Sequence, residues 1–341
     1  MVRRKTFYSL ALFLVLAGTL VGAQPLKTLV YPDQVRLGEP FSVAVLIPKD
    51  STATYTASLL RKDRELTTTV LLDYFEGSDG NTIRAGLLAV PNEGSPGPAL
   101  LRLREGHPGA IQTGTSTLGT PEVETLDIPM IIVDRQFSSE TIPLDRLNTE
   151  LLTKPDPKKT AEATELWKIL IQTNPHFLAN TPFVQPVTSE RRTSGFGDRR
   201  IYVYADGKRE RSVHGGIDFA VPRGTQVHAC ADGVVSLAEF RIVTGNSVAI
   251  EHWPGLYSLY YHLDSINVKV GDRLRQGDII GQSGSTGLST GPHLHWEIRL
   301  HGQSTDPDIF TTQSVLDKDR IVGKIYEKVA SPNGSATNSD R

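Results

Sequence analysis

The chain has 341 residues, 38% of them hydrophobic, and a formal net charge of −2. That length allows two domains, and the weak negative balance argues against nucleic acid as the main partner. Cys230 is the single cysteine, so no intramolecular disulfide is available and each folded unit must rest on its apolar core.

In chain order, the first stretch reads as an export signal. Arg3, Arg4 and Lys5 form a basic start, Tyr8 to Val21 is apolar, and Val21-Gly-Ala23 supplies small residues for cleavage after Ala23. Removing three cations and no acid takes the charge from −2 to −5. No cysteine follows the apolar run, so no lipid anchor is expected. The reading is an exported, soluble, cell-envelope protein, periplasmic or extracellular, with no membrane span after signal cleavage.

Residues 25–135 read as all-β. Phe41 to Ile47, Tyr55 to Leu60, Thr67 to Leu72, Ile83 to Val90 and Ile128 to Val133 are short and rich in β-branched residues. Turn signals at Lys49-Asp50, Gly77 to Gly80, Asn92 to Gly94 and Pro96-Gly97 separate them. This spacing predicts an immunoglobulin-like β-sandwich. It holds no cluster of ionisable residues suited to chemistry, and His107 reads as a turn residue.

Residues 136–185 read as a helical connector. Asp156-Pro157 pairs a capping residue with proline at the first helical position. Ala163, Leu166, Trp167, Leu170 and Ile171 form one apolar stripe, which predicts docking through Trp167 and an end at Asn174-Pro175.

From residue 186 to 312 the chain becomes glycine-punctuated strands. Ile201 to Tyr204 and Lys208 to Val213 flank Asp206-Gly207, a hairpin signal. In His214-Gly-Gly-Ile-Asp218, residues i and i+4 of an extended chain share a face, and the two glycines let the backbone pass close to a metal. Cys230, in a small apolar setting, reads as a buried strand residue rather than a nucleophile. The polar run Gly281 to Gly291 predicts a cleft wall. In Gly291-Pro-His293-Leu-His295-Trp-Glu297-Ile-Arg299 the alternation has period two, which places His293, His295 and Glu297 on one strand face. Two imidazoles and a carboxylate converging there suit a divalent metal. Residues 313–341 read as a partly disordered tail, polar from Ser331 to Arg341.

Ser194-Gly-Phe-Gly197-x-Arg199, His214-x-Gly-x-Asp218, Pro222-x-Gly-Thr225, Tyr261-His262-Leu263, Gly281-x-x-Gly284-x-Thr286-Gly and Ser289-Thr-Gly-Pro-His293-Leu-His295-x-Glu297 resemble, in order and spacing, the lysostaphin-type (LytM-like) zinc peptidases over about residues 190–310. The resemblance implies an antiparallel β peptidase domain and one zinc ion per chain, held by His214, Asp218 and His295 with a fourth position open to water. It implies that His262 and His293 assist catalysis, one as base and the other stabilising the oxyanion, in either assignment. Glu297 is expected as a carboxylate orienting a ligand histidine, with a general-base role as the alternative. Tyr260, sharing a face with His262 at the end of a strand, is a weaker oxyanion candidate against simple packing. His176, His228, His252 and His301 match no family position, and His228 reads as structural.

The resemblance further implies hydrolysis of cross-linking or stem peptides of bacterial peptidoglycan. The rival is a non-catalytic LytM-like activator or binding protein, whose mark would be missing ligands. Arg199, Arg200, Lys208, Arg209 and Arg211 on or beside the hairpin are expected to face substrate carboxylates, with the N-terminal half limiting access to the cleft.

Overall fold

The computed structural model describes residues 29–49, 51–106, 125–173 and 182–330. The signal stretch, His107, Asn174-Pro175, His176 and the tail from Ser331 lie outside them. The chain is mostly strand, as its alternating segments require.

Eight strands form the N-terminal half: β1 (Leu29–Val30), β2 (Gln34–Arg36), β3 (Pro40–Ile47), β4 (Thr54–Arg61), β5 (Arg64–Glu76), β6 (Thr82–Ala89), β7 (Gly97–Gly106) and β8 (Thr125–Val133). Their order is β1-β3-β6-β5-β4-β7-β8-β2. The long β5 pairs with β4 up to Leu71 and with β6 from Leu72 onward, so one sheet turns back into two layers. Val43 and Val45 of β3, Ala57 and Leu59 of β4, and Leu101 and Leu103 of β7 fill one core. Strand β7 starts where the sequence suggested only a turn. Its Ala99, Leu101 and Leu103 do alternate inward, behind the turn-like Pro96-Gly97-Pro98.

The connector holds β9 (Ser139–Pro143), α1 (Arg146–Thr153) and α2 (Pro157–Leu170). Asp156 caps α2 by accepting from Lys158 N at 2.8 Å, with Pro157 at the first helical position. The apolar stripe docks with Leu170 deepest and Trp167 at its margin. Leu166, Ile169 and Leu170 pack on Leu237, Tyr257 and Leu259, while Trp167 is 53% exposed. The Trp167 ring closes over Gly302, where an added Cβ would lie 2.6 Å from it. A stripe fixes the face of a helix; which member sits deepest depends on the surface beneath.

The C-terminal half contains β10 (Arg192–Ser194), β11 (Arg199–Val203), β12 (Arg209–Val213), β13 (Ile217–Phe219), β14 (Gln226–His228), β15 (Gly233–Arg241), β16 (Gly245–Trp253), β17 (Leu256–Ile266), β18 (Arg273–Leu274), β19 (Ile279–Ser283), β20 (Leu294–Leu300) and β21 (Gln303–Thr305), then α3 (Pro307–Thr312) and α4 (Lys318–Ala330). The main antiparallel path is β10-β13-β20-β17-β16-β15-β18. The hairpin β11–β12 forms as its Asp-Gly tip required, and β9 adds to it in parallel with β11. That third strand comes from the connector.

The halves share a core. Leu87 and Ala89 of β6 belong to the same apolar cluster as Trp253, Leu300 and Phe310. Gly38 O accepts from Asp306 N at 2.9 Å and from Thr305 Oγ1 at 3.0 Å. Helix α4, within the stretch read as a tail, lays Ile321 and Ile325 on Ala44, Ile83 and Ala85 of the N-terminal sheet.

Beneath the sheet, His252 is fully buried, with Nδ1 donating to Asp232 O and Nε2 2.7 Å from Ser258 Oγ. Burial pushes its pKa down to about 4. The unfolded chain takes up this proton near about 6.5, so stability present above that pH is lost as pH falls toward 4. The span between the two values corresponds to about 3 kcal/mol. His252→Gln is therefore expected to flatten the dependence of the urea midpoint on pH between about 4 and 7. Parallel curves for parent and variant would contradict this.

Candidate metal centre

The site rests on strand register. Asp218 of β13 and His295 of β20 are cross-strand partners, and Tyr261 of β17 is the partner of His295 on its other side. Partners in register point to the same face. Asp218 Oδ1 thus lies 2.7 Å from His295 Nδ1, and the Tyr261 ring stacks on the imidazole at 5.4 Å. His214 enters from the turn between β12 and β13, its Nε2 3.1 Å from Asp218 Oδ1 and 2.9 Å from His295 Nδ1. The turn passes hard against β20. A Cβ on Gly216 would lie 2.1 Å from Trp296 O, and one on Gly215 2.6 Å from Glu297 Oε1. The two glycines are needed for that passage.

The donor set fits zinc. His214 Nδ1 donates to Gly195 O at 2.7 Å, which leaves Nε2 a bare acceptor. His295 Nε2 donates to Glu297 Oε1 at 2.9 Å, which leaves Nδ1 bare. Asp218 Oδ1 is the third acceptor, so with His295 in its neutral form three lone pairs converge on one point. Such a group calls for a cation. Tetrahedral ligands about 2.0–2.1 Å from zinc stand about 3.3 Å apart, so the 2.7, 2.9 and 3.1 Å found here would open by a few tenths of an ångström around the ion. Protein charge favours a cation as well. Burial opposes a charge on His295, yet Asp218 and Glu297 outweigh it and raise its pKa to about 9, so without a metal a proton on Nδ1 takes the place of the cation. Burial would raise the Asp218 carboxyl, but the two histidines hold it well below its ordinary range.

Each ligand has an outer partner. Glu297 spans His295 and Arg299, accepting Arg299 Nε on Oε2 at 2.6 Å. Burial is again outweighed, by Arg299 and His295, and the Glu297 carboxyl is driven far below its usual range. With both oxygens engaged, Glu297 is placed to orient a ligand, not to serve as a free base. Asp218 Oδ2 accepts Arg200 Nη2 at 2.6 Å, and Arg200 Nε reaches Glu140 Oε1 at 2.6 Å. Arg200 lines the cleft, but its guanidinium is already committed to these two carboxylates. Arg199 is also committed, stacked 4.4 Å over Phe137 and donating to Asn92 O at 2.7 Å. Lys208, Arg209 and Arg211 stay exposed, with Lys208 paired to Asp206. The β9–β11 pairing has no local sequence signal, so neither Glu140 nor this use of Arg200 could be read beforehand.

His262 and His293 stand beside the three acceptors, their rings 4.8 Å apart. Strict alternation would put His262 with Tyr260, on the far face. A register shift between β16 and β17 adds a residue there, and His262 takes a left-handed φ of 59°. The bulge turns His262 onto the face of Tyr261, and β17 runs on to Ile266. Tyr260 is fully buried, its hydroxyl accepting from Cys230 N at 2.9 Å, so packing and not an oxyanion role holds for it. His262 Nδ1 donates to Thr286 O and His293 Nδ1 to Gly291 O, each at 2.8 Å. Burial, with the neighbouring histidines, lowers His262 to about 3; burial also lowers His293. Both are neutral near pH 7, with Nε2 as acceptor. His228 bonds Gly277 O at the edge, and buried Cys230 is pushed up to about 12.

The cleft above these groups holds about 250 Å³, walled by Ile142 and Leu144 of the connector on one side and by Leu288 to Thr290 on the other. Asn148 Nδ2 donates to Ser289 O at 3.3 Å, joining α1 to the loop read as a wall.

Residues 212–307 match peptidase family M23. The match is confined to the C-terminal region, which is an M23 zinc metallopeptidase domain. The chain is 43% identical over 113 residues to an uncharacterized metalloprotease of Buchnera aphidicola, covering 33% of this chain and 30% of that protein. It is 40% identical over 119 residues to the peptidoglycan DD-endopeptidase ShyA of Vibrio cholerae, covering 35% and 27%. The chain thus spans less than a third of the length of either relative. A crystal structure of a protein assigned as peptidase M23 from Pseudomonas aeruginosa shares the fold, with a TM-score of 0.51 and 22% identity over 79% of this chain and 92% of that one.

The parent chain is expected to carry about one zinc ion, and His214→Ala, Asp218→Ala and His295→Ala each to lose stoichiometric metal. Elemental analysis after dialysis checks this. Full zinc in His295→Ala would remove that residue from the ligand set.

Proposed function

We propose that the chain is an exported zinc metalloendopeptidase that hydrolyses peptide cross-links or stem peptides of bacterial peptidoglycan. The observation that carries this reading is the convergence of three acceptor atoms beside two neutral histidines at the floor of an open cleft. A zinc ion bound there supplies Lewis acidity, polarising a carbonyl and lowering the pKa of water. His262 and His293 present Nε2 as proton acceptors, and either one, once protonated, becomes a donor for the oxyanion or the leaving amine. Their Nδ1 contacts to Thr286 O and Gly291 O keep both rings in the tautomer this requires.

Peptidoglycan as substrate is supported by the activity named for the Vibrio relative. Export is supported by the basic, apolar and small-residue order of residues 1–23. Among the described residues no helix is long and apolar enough to cross a membrane. The activator reading needs a broken ligand set, and here His214, Asp218 and His295 are all in place. The connector supports a role in access, since Ile142 and Leu144 stand at the cleft wall.

Purified sacculi incubated with the zinc-loaded chain are expected to release soluble muropeptides. His262→Ala and His293→Ala should keep their zinc and lose about 10²–10⁴-fold in rate. A parent chain that binds sacculi without cleaving them would favour the activator, and near-parent rates in either variant would remove that histidine from the chemistry.

A further inference from the structure

Arg200 creates an electrostatic problem. Its guanidinium donates to Asp218 Oδ2 at 2.6 Å, and its side chain is only 12% exposed. The contact fixes the carboxylate plane so that Oδ1 faces His214 and His295. It also sets a full positive charge on the carboxylate that a dication would share, and partial burial weakens the screening between them. Burial disfavours the charge on Arg200, and Asp218 and Glu140 hold it in place.

Glu140 resolves the conflict. It lies on β9, in register with Arg200 across the parallel β9–β11 pair, so both side chains share a face. Its Oε1 accepts Arg200 Nε at 2.6 Å and Ser194 Oγ at 2.8 Å. The guanidinium is thereby held between two carboxylates, its charge offset on the side away from the ligands. Neither Glu140 nor Arg200 lies within residues 212–307.

We infer that Glu140 is a positioning residue of the metal centre, acting through Arg200 on the ligand Asp218, so that the inter-domain connector completes the site. The inference rests on the zinc reading given above. A peptidase fragment beginning after the connector lacks this residue, and any movement of β9 away from β11 weakens the hold on metal.

The test is zinc affinity of the full chain by chelator competition, for the parent, Glu140→Gln, Arg200→Gln and the double variant, with melting curves of the metal-free proteins. A parent that binds no zinc sinks the zinc reading itself. Given tight parent binding, Glu140→Gln is expected to weaken zinc about tenfold, at the low end for such partners because Glu140 is 30% exposed. In the Arg200→Gln background the same change should cost less than about twofold, since the path runs through the arginine. Unchanged affinity in a folded Glu140→Gln chain overturns the inference. So does an equal loss in both backgrounds, which would make Glu140 a bare charge. Should the glutamine variant not fold, Glu140→Asp carries the test. Its shorter arm cannot hold Ser194 and Arg200 together, so severalfold weaker binding is expected and parent affinity overturns the inference.

Discussion

Three acceptor atoms about 3 Å apart, all turned inward, are the constraint on which the rest of the site depends. Their lone pairs need a shared positive charge, a metal ion or else the proton that the raised pKa of His295 keeps there, because burial removes the water that would separate them. The arrangement persists because every opposite atom is tied down: His214 to Gly195 O, His295 to Glu297, and Asp218 to Arg200. Each tie selects a tautomer or a carboxylate face, so the outer contacts decide what the inner atoms can do. Register supplies the coarse placement, and these contacts supply the orientation.

This division explains what the sequence could reveal. Period two in β20 put His293, His295 and Glu297 on one face, and the i, i+4 spacing brought His214 toward Asp218 across two glycines. These are short-range patterns set by backbone geometry. Face assignment failed at His262, because a one-residue bulge reverses the alternation and leaves no mark in composition. Trp167 looked like the anchor of α2 because it is the largest member of the stripe, yet Leu170 sits deepest and Trp167 covers only Gly302 at the margin. Arg200 read as a free cation on a hairpin. Only the parallel pairing with β9, some sixty positions earlier, shows that its charge is already spoken for. Long-range pairing and bulges are tertiary facts, and they account for the misses.

The connector does several things that a linker would not. It adds β9 to the hairpin, sets Ile142 and Leu144 at the cleft wall, and lays α2 across the sheet through Leu166, Ile169 and Leu170. At the other end, α4 returns to the N-terminal sheet. With Leu87 and Ala89 in the C-terminal core, the two halves make one packed body with contacts on either side of the peptidase sheet. Inter-domain contacts within a chain are often modest and mobile. A shared apolar core closed by helices from both flanks raises the cost of moving the halves apart.

The left-handed conformation of His262 fits the same logic. A non-glycine residue there carries a cost of about 1–2 kcal/mol, and the surroundings must hold it. Backbone N–H of His262 donates to Thr244 O at 2.8 Å, and Nδ1 to Thr286 O at 2.8 Å. Thr286 in turn donates Oγ1 to Leu263 O and accepts from Asn246 N. The glycine-rich loop is thus bound to the bulge that aims His262, and the bulge to the loop that walls the cleft. Strain of this kind, fixed from several directions, is found where a side chain must hold a direction that regular alternation would not give it. Here that direction sets Nε2 of a neutral imidazole beside His293, above the acceptors of Asp218 and His295.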